Sequence, residues 1–422
     1  MIYDVIYLIA AVVTLPYFII KAACFAKYRA GIREKLGWIP TLPALKKDTV
    51  WFHCVSVGEV LAAALLVKEF RRAYPEYAVA VSTTTDTGRS VAEKQDMADF
   101  YFYYPFDFSW IVSRVLSALR PRILVLTELE IWPNMVRQAC RRGIPIGVVN
   151  GRLSARSFRR FRMVRFFSRN VFSKLAFCSV QDNVYRERFI ELGSPEEGTV
   201  VGGNMKYDAL TGEVDPEKYA YMKKLLQVRE QDLILMGGST HEGEEQILLQ
   251  AYAWLLPQHE NLRLILVPRH PERIQAVCSA VEKAGFRYCL KTELTGDEND
   301  VGDRVVIVDT MGELSMLYAI STVAFVGGSF SNTGGQNMLE PAVLKKPVIV
   351  GPSTFNFEED MKRLRGENGV REVKTAEECI EAVHSLLNDP EERKILGENG
   401  FNVVQQFKGA VQKNLKILEK YI

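Results

Sequence analysis

The chain has 422 residues, 48% of them hydrophobic and 25% charged, with a formal net charge of +2. That length exceeds one ordinary hydrophobic core, so two domains are expected, and the composition excludes a disordered, fibrous or wholly membrane-embedded protein. Charge is unevenly spread: residues 1–210 hold 29 Lys+Arg against 19 Asp+Glu, so the first half is basic and the second acidic. A basic half suits an anionic surface or substrate.

The first element is apolar. Between Ile2 and Phe25 the only charges are Asp4 and Lys21, and Lys21, Lys27, Arg29, Arg33 and Lys35 follow the apolar run. A cleaved leader carries its positive charges before the apolar run, so an uncleaved N-terminal membrane anchor over residues 1–26 is expected, spanning or lying in the surface, with the following chain cytoplasmic.

Strand-like runs then alternate with helix-compatible sequence: Thr49–Cys54, Tyr77–Ser82, Phe100–Tyr104, Ile123–Thr127, Ile144–Val149 and Ala176–Val180 in the first half. A second series follows at Leu233–Met236, Leu262–Val267, Phe286–Cys289, Val305–Val308, Val323–Val326 and Pro347–Val350. Alternation of this kind predicts parallel sheets covered by helices on both faces. The pattern lapses from Asn204 to Asp232, which places the junction there. The predicted layout is an α/β N-terminal domain over 27–210, a linker over 211–231, an α/β C-terminal domain over 232–400, and a helix over 401–422 that crosses back to the first domain, after an interruption at Gly397–Gly400.

Within the first series, Arg152, Arg156, Arg159, Arg160, Arg162, Arg165, Arg169 and Lys174 form a run without one acidic residue, interleaved with Phe158, Phe161, Met163, Phe166, Phe167 and Phe172. At helical spacing this makes a basic amphipathic surface fit for an anionic membrane surface or the phosphates of a lipid substrate. A solvated helix with its aromatic side in the core has the same pattern. Nucleic acid is not expected as a partner, since no RNP-like, KH or zinc-knuckle pattern is present to organise base contacts. The seven cysteines are scattered without a CxxC pair, which suits a reducing compartment and indicates no metal site.

The segments after the strands carry the chemistry, because ligands of open parallel sheets bind at the carboxyl ends of the strands. These segments are Ser56-Val57-Gly58-Glu59, Thr127-Glu128-Leu129-Glu130-Ile131-Trp132-Pro133-Asn134, Gly238-Ser239-Thr240-His241 and Pro268-Arg269-His270-Pro271. The last, Gly327-Gly328-Ser329 followed by Gly334-Gly335-Gln336-Asn337-Met338-Leu339-Glu340-Pro341, reads as a strand, a glycine turn and a helix start. Such a turn can cradle a phosphate, and Glu340 could accept hydrogen bonds from a ribose diol.

With these segments and Arg33-Glu34-Lys35-Leu36-Gly37, the chain closely resembles, over essentially its whole length, the transferases that move 3-deoxy-D-manno-oct-2-ulosonic acid (Kdo) from CMP-Kdo to a lipid A precursor in lipopolysaccharide synthesis. The resemblance implies a GT-B glycosyltransferase: two Rossmann-like domains facing a central cleft, with donor in the second and acceptor in the first, at the cytoplasmic face of the bacterial inner membrane. It also implies Glu34 as general base of an inverting transfer and Arg269 as the group stabilising the departing CMP. On the donor side it assigns Gly238, Ser239, Thr240, Arg269, His270, Gly312, Glu313, Leu314, Gly335, Gln336, Asn337 and Glu340. On the acceptor side it points to Ser56, Gly58, Glu59, Glu128, Arg156 and Arg160. Many relatives have histidine where this chain has Gln336, so no charged role is expected there. No Asp-x-Asp occurs, and neither a metal nor another cofactor is expected. The same fold acting on a UDP-sugar is the alternative.

Overall fold

The computed structural model describes residues 3–9, 12–14, 21, 31–39, 47–296 and 301–422. The chain forms two compact units, Met1–Ala209 with Phe407–Ile422, and Leu210–Gln406.

The first unit is built on strands β1 (Thr49–His53), β2 (Ala78–Thr83), β3 (Phe100–Tyr103), β4 (Pro121–Thr127), β5 (Ile146–Gly151), β6 (Phe177–Val180) and β7 (Thr199–Val201). They lie in the order β3-β2-β1-β4-β5-β6-β7, and each pair of neighbours is parallel. Successive side chains serve opposite faces: Val50 and Phe52 of β1 enter one core with Ile123 and Val125, while Trp51 enters the other with Leu124 and Leu126. Both faces are covered, which is why these strands read as unbroken apolar runs rather than alternating ones. Strand β7 has no such run, since Val200 and Val201 are partly exposed at the sheet edge, and the sequence reading passed over it.

The second unit contains β8 (Leu233–Thr240), β9 (Leu262–Pro268), β10 (Tyr288–Leu290), β11 (Val305–Ile307), β12 (Val323–Val326), β13 (Val348–Val350) and β14 (Arg371–Glu372). Their order is β10-β11-β9-β8-β12-β13-β14, again with parallel neighbours. The two-residue β14 is too short and too polar to carry a strand signal. In each sheet the winding reverses next to the first strand, between β1 and β4 and between β8 and β12. A crevice opens at such a switch point beyond the strand ends.

The stretch 211–231, read as a linker, holds the helix Pro216–Leu225 and falls within the second unit. The interruption expected at Gly397–Gly400 is absent: helix Pro390–Gln406 runs through both glycines. A Cβ on Gly397 would lie 2.1 Å from the Lys345 carbonyl oxygen, so this glycine serves close packing rather than helix termination. Residues Phe407–Ile422 complete the first unit. Asp208 accepts from the N–H groups of Gly409 (2.6 Å) and Val411 (3.0 Å) at the start of helix Ala410–Leu418, and the Tyr421 hydroxyl donates to the Ala176 carbonyl at 3.0 Å.

Most of the expected anchor, 1–26, lies outside the described residues. Residues 3–9 are helical and packed on the first unit. Tyr3 meets Phe167 and Tyr7 meets Phe108 edge to face, while Asp4 accepts from the Ser109 N–H at 2.7 Å and the Asn134 side chain at 3.1 Å. Val5, Ile6, Leu8 and Ile9 of the same turns are exposed. Among the described residues no helix is long and apolar enough to cross a membrane, so a spanning anchor has no structural support.

Candidate functional site

At the carboxyl end of the first sheet, Glu34 sits in the short helix Ile32–Lys35, preceded by Gly31 at φ 64°. A Cβ on Gly31 would fall 1.8 Å from the Tyr103 ring, so both the backbone conformation and the close approach call for glycine. The end of β3 then fixes the carboxylate: the Tyr103 N–H donates to Glu34 Oε2 at 2.7 Å. Arg89, from helix Asp86–Lys94, places Nη1 2.9 Å from Oε2 and 3.2 Å from Oε1. The Tyr103 ring lies under two cations, Lys35 at 4.8 Å and Arg89 at 4.9 Å, and its hydroxyl donates to Asp86 at 2.8 Å. Burial, then the bond to Asp86, pushes that phenol up to about 12.

Two strands away, after β1, Ser56 and Glu59 close the start of helix Val57–Ala73. The Glu59 N–H reaches Ser56 Oγ at 3.4 Å, Ser56 Oγ donates to Glu59 Oε1 at 3.1 Å, and the Val55 N–H donates to Oε2 at 2.9 Å. This reciprocal cap accounts for the Ser-x-x-Glu spacing, and Gly58 lies in the same first turn. Burial raises the Glu59 carboxyl to about 7 against the Val55 hydrogen bond, with Glu128 and Glu130 adding repulsion. Glu128 follows β4 at φ 61°, a left-handed conformation that is costly for a non-glycine residue, and Asn150 at the end of β5 has φ 55°. Arg156 and Arg160 stand on the exposed helix Ala155–Met163 and face solvent.

In the second unit the glycine turn is filled from within. The fully buried Glu244 accepts four backbone hydrogen bonds: from His241 (2.7 Å) and Gly328 (2.8 Å) on Oε2, and from Ser329 and Phe330 (both 2.8 Å) on Oε1. The N–H groups expected to cradle a phosphate at Gly328–Ser329 therefore hold a carboxylate of the chain itself. Burial raises the Glu244 pKa and the four donors oppose it. Glu244 thereby ties the loop after β8 to the loop after β12.

Around that tie stand the other donor-side residues. Ser239 has φ 53°, and the Oγ1 of fully buried Thr240 has no hydrogen-bond partner. Gly238 ends the β8–β12 register opposite Val326. Arg269 and His270 are exposed just after β9, with the Arg269 N–H bonded to the Thr240 carbonyl at 3.0 Å. His241 and His270 meet edge to face at 5.5 Å, and the Gln336 amide lies 3.3 Å from His241 Nε2. Burial, then His270, lowers the pKa of His241, which favours a neutral ring. Gly335 donates to the Gly328 carbonyl. Asn337 donates to Glu340 Oε1 at 3.0 Å, and Glu340 is the second residue of the five-residue helix Leu339–Val343. Glu313, between exposed Gly312 and Leu314, is bonded to Lys291 at 3.0 Å and to the Thr310 hydroxyl.

The sequence reading missed Arg89, Tyr103, Glu244 and the bidentate Arg273–Glu245 pair, at 2.8 and 3.1 Å. None of these was among the candidate site residues, although Tyr103 ended a run already expected as a strand, Phe100–Tyr104. Among the described residues no group of three or more His, Cys, Asp or Glu side chains is arranged to hold a metal ion.

Two parallel-sheet α/β units of this kind define the class, and solved structures agree with the fold. The chain superposes on the UDP-GlcNAc 2-epimerase of Neisseria meningitidis with TM-score 0.60 over 89% of this chain and 100% of that one, at 14% identity. A glycosyltransferase of Rickettsia africae gives 0.58 over 89% and 99%, at 13% identity. Residues 30–209 match the 3-Deoxy-D-manno-octulosonic-acid transferase (kdotransferase) family. The 3-deoxy-D-manno-octulosonic acid transferase of Haemophilus influenzae is 36% identical over 94% of this chain and 92% of its own length, and that of Chlamydophila psittaci 31% identical over 100% and 96%. The chain belongs to the 3-deoxy-D-manno-octulosonic acid transferase family of glycosyltransferases.

Proposed function

We propose that the protein transfers Kdo from CMP-Kdo to a lipid A precursor with inversion at the anomeric carbon, without a metal, at the cytoplasmic face of the inner membrane. Glu34 is the general base. The acceptor O–H bond breaks as its proton passes to the carboxylate and its oxygen bonds to the anomeric carbon, while the bond to CMP breaks and its electron pair leaves on the phosphate oxygen. Arg269 stabilises that developing charge.

The observation that carries this reading is the fixed Glu34 carboxylate, held by a backbone N–H and a guanidinium at a strand end. On the donor side, Thr240 Oγ1, His241, His270 and the Gln336 amide supply neutral or cationic donors for one phosphate and a sugar carboxylate, with Glu340 for the ribose and the Gly312–Leu314 backbone for the base. Asn337 orients Glu340. Acceptor phosphates are met by Arg156 and Arg160, and Glu128 meets an acceptor hydroxyl. Exposed Met163 and Phe166 beside the exposed Arg159, Arg160 and Arg165 support contact with an anionic lipid surface.

The test is mass spectrometry of the lipid product after incubation with CMP-Kdo, a tetraacylated lipid A precursor and EDTA. A mass gain of one or more Kdo units is expected. No gain beside an active reference enzyme rejects the reading and turns the search to UDP-sugars.

A further inference from the structure

The two oxygens of Glu34 are not equivalent. Oε2 receives the Tyr103 N–H at 2.7 Å and Arg89 Nη1 at 2.9 Å, both within the range of strong charge-assisted bonds. Among the described residues, Oε1 receives only the longer 3.2 Å contact from the same Nη1. Arg89 is itself held on three sides: Nε donates to Glu93 at 2.9 Å, Nη2 reaches the Tyr101 carbonyl at 3.5 Å, and the guanidinium lies over the Tyr103 ring. Its fork thus spans two carboxylates and a strand carbonyl, which a lysine ammonium cannot do. The Glu34 and Arg89 side chains are only 17% and 25% exposed, so solvent screens the pair less than an ordinary surface pair.

We propose that Arg89 is the positioning residue of the transfer reaction: it pins Oε2 and leaves Oε1 as the atom that takes the acceptor proton. This rests on the reading of Glu34 as base. Among the described residues, the other charged or titratable groups around the pair are Lys35 on the same short helix, Asp86 and Glu93 on the Arg89 helix, and Tyr103 on β3. Tyr103 is neutral throughout the working range, and Glu93 and Asp86 are engaged with Arg89 and Tyr103. Arg89 therefore supplies the positive charge bonded directly to Glu34.

The experiment is the separate measurement of kcat and of KM for the acceptor on the full chain in detergent. Arg89→Met, which keeps the stem on Tyr103, is expected to lower kcat at least tenfold while KM for the acceptor stays within about twofold. A kcat within about twofold of wild type, or a loss confined to KM, overturns the proposal. Arg89→Lys covers the case where methionine disturbs the fold: the stem and the charge remain, but the lost fork lowers kcat by about fivefold or more. Wild-type kcat in that variant overturns the fork geometry. Glu34→Gln separates the underlying reading, since ordinary turnover there removes the base itself whatever Arg89 does.

Discussion

The carboxylate of Glu244 and the backbone N–H of Ser329 lie 2.8 Å apart across 85 residues of sequence, and each oxygen of that carboxylate accepts two N–H groups. Glu244→Gln tests what this tie contributes. In either orientation of the amide, its NH₂ faces two backbone donors, so two buried N–H groups lose their acceptor. A cost of about 2–4 kcal/mol is expected. Denaturant melts should show a lower midpoint, and the donor KM should rise because the loops after β8 and β12 lose their common anchor. An unchanged midpoint would show that water replaces the carboxylate without loss.

Gly31 and Tyr103 should be coupled. Gly31→Ala places a methyl 1.8 Å from the Tyr103 ring and holds alanine at φ 64°, where a Cβ costs about 1–2 kcal/mol before any clash. The short helix must shift and carry Glu34 off its two donors, so kcat should fall at least tenfold with the melting temperature little changed. In a Tyr103→Ala background the added methyl has room. The further loss caused by Gly31→Ala should then shrink to a few fold, a non-additivity that a double-mutant cycle reads directly.

These two relationships also mark what the sequence could and could not convey. Of the fourteen strands among the described residues, twelve were legible because both faces of each sheet are covered and their strands are apolar; β7 and β14 carry no such run. The strand-end loops were legible as candidate sites from topology alone. What fills them was not. The Gly327-Gly328-Ser329 turn announces a nest of N–H groups, yet nothing local says that Glu244 occupies it, because the contact is set by how β8 and β12 pair. Arg89 looked like any helix-surface arginine, 55 residues from Glu34, until β3 brought Tyr103 between them. The Ser56–Glu59 spacing was readable as chemistry or as a cap, and its hydrogen bonds are those of a cap.

Acid stability of the first unit should depend on His53. Its side chain is fully buried, stacked on Tyr104 at 3.8 Å and bonded through Nδ1 to Ser82 Oγ at 2.9 Å, while Nε2 has no partner. Burial holds its pKa down to about 3. The unfolded chain takes up a proton near the ordinary value of about 6.5, so it binds more protons than the folded chain between these values. The neutral ring's contribution is complete above pH 6.5 and declines as pH falls towards 3, by at most about 1.4 kcal/mol per pH unit. Urea midpoints measured at pH 7 and pH 5 should show this loss in the wild type and a smaller one in His53→Gln. Equal slopes would assign the acid sensitivity to other groups.

The basic face of the first unit should bind anionic lipid. Phe166 is 82% exposed and Met163 86%, which leaves them free to enter a headgroup layer, and Arg159 and Arg160 are exposed on the adjoining helix. Each basic residue near a charged bilayer is worth about 1 kcal/mol, so Arg159→Gln with Arg160→Gln should weaken partitioning onto phosphatidylglycerol vesicles by about thirtyfold at low salt. Raising the salt should narrow the difference, because the attraction acts within a Debye length. Phe166→Ser should weaken binding to a degree that salt does not alter, and neither change should move the melting temperature, since the side chains bury little in the fold. Sedimentation with vesicles of increasing phosphatidylglycerol content separates the two contributions. If all three proteins partition alike, the face does not contact lipid, and its arginines are left to the phosphates of the acceptor.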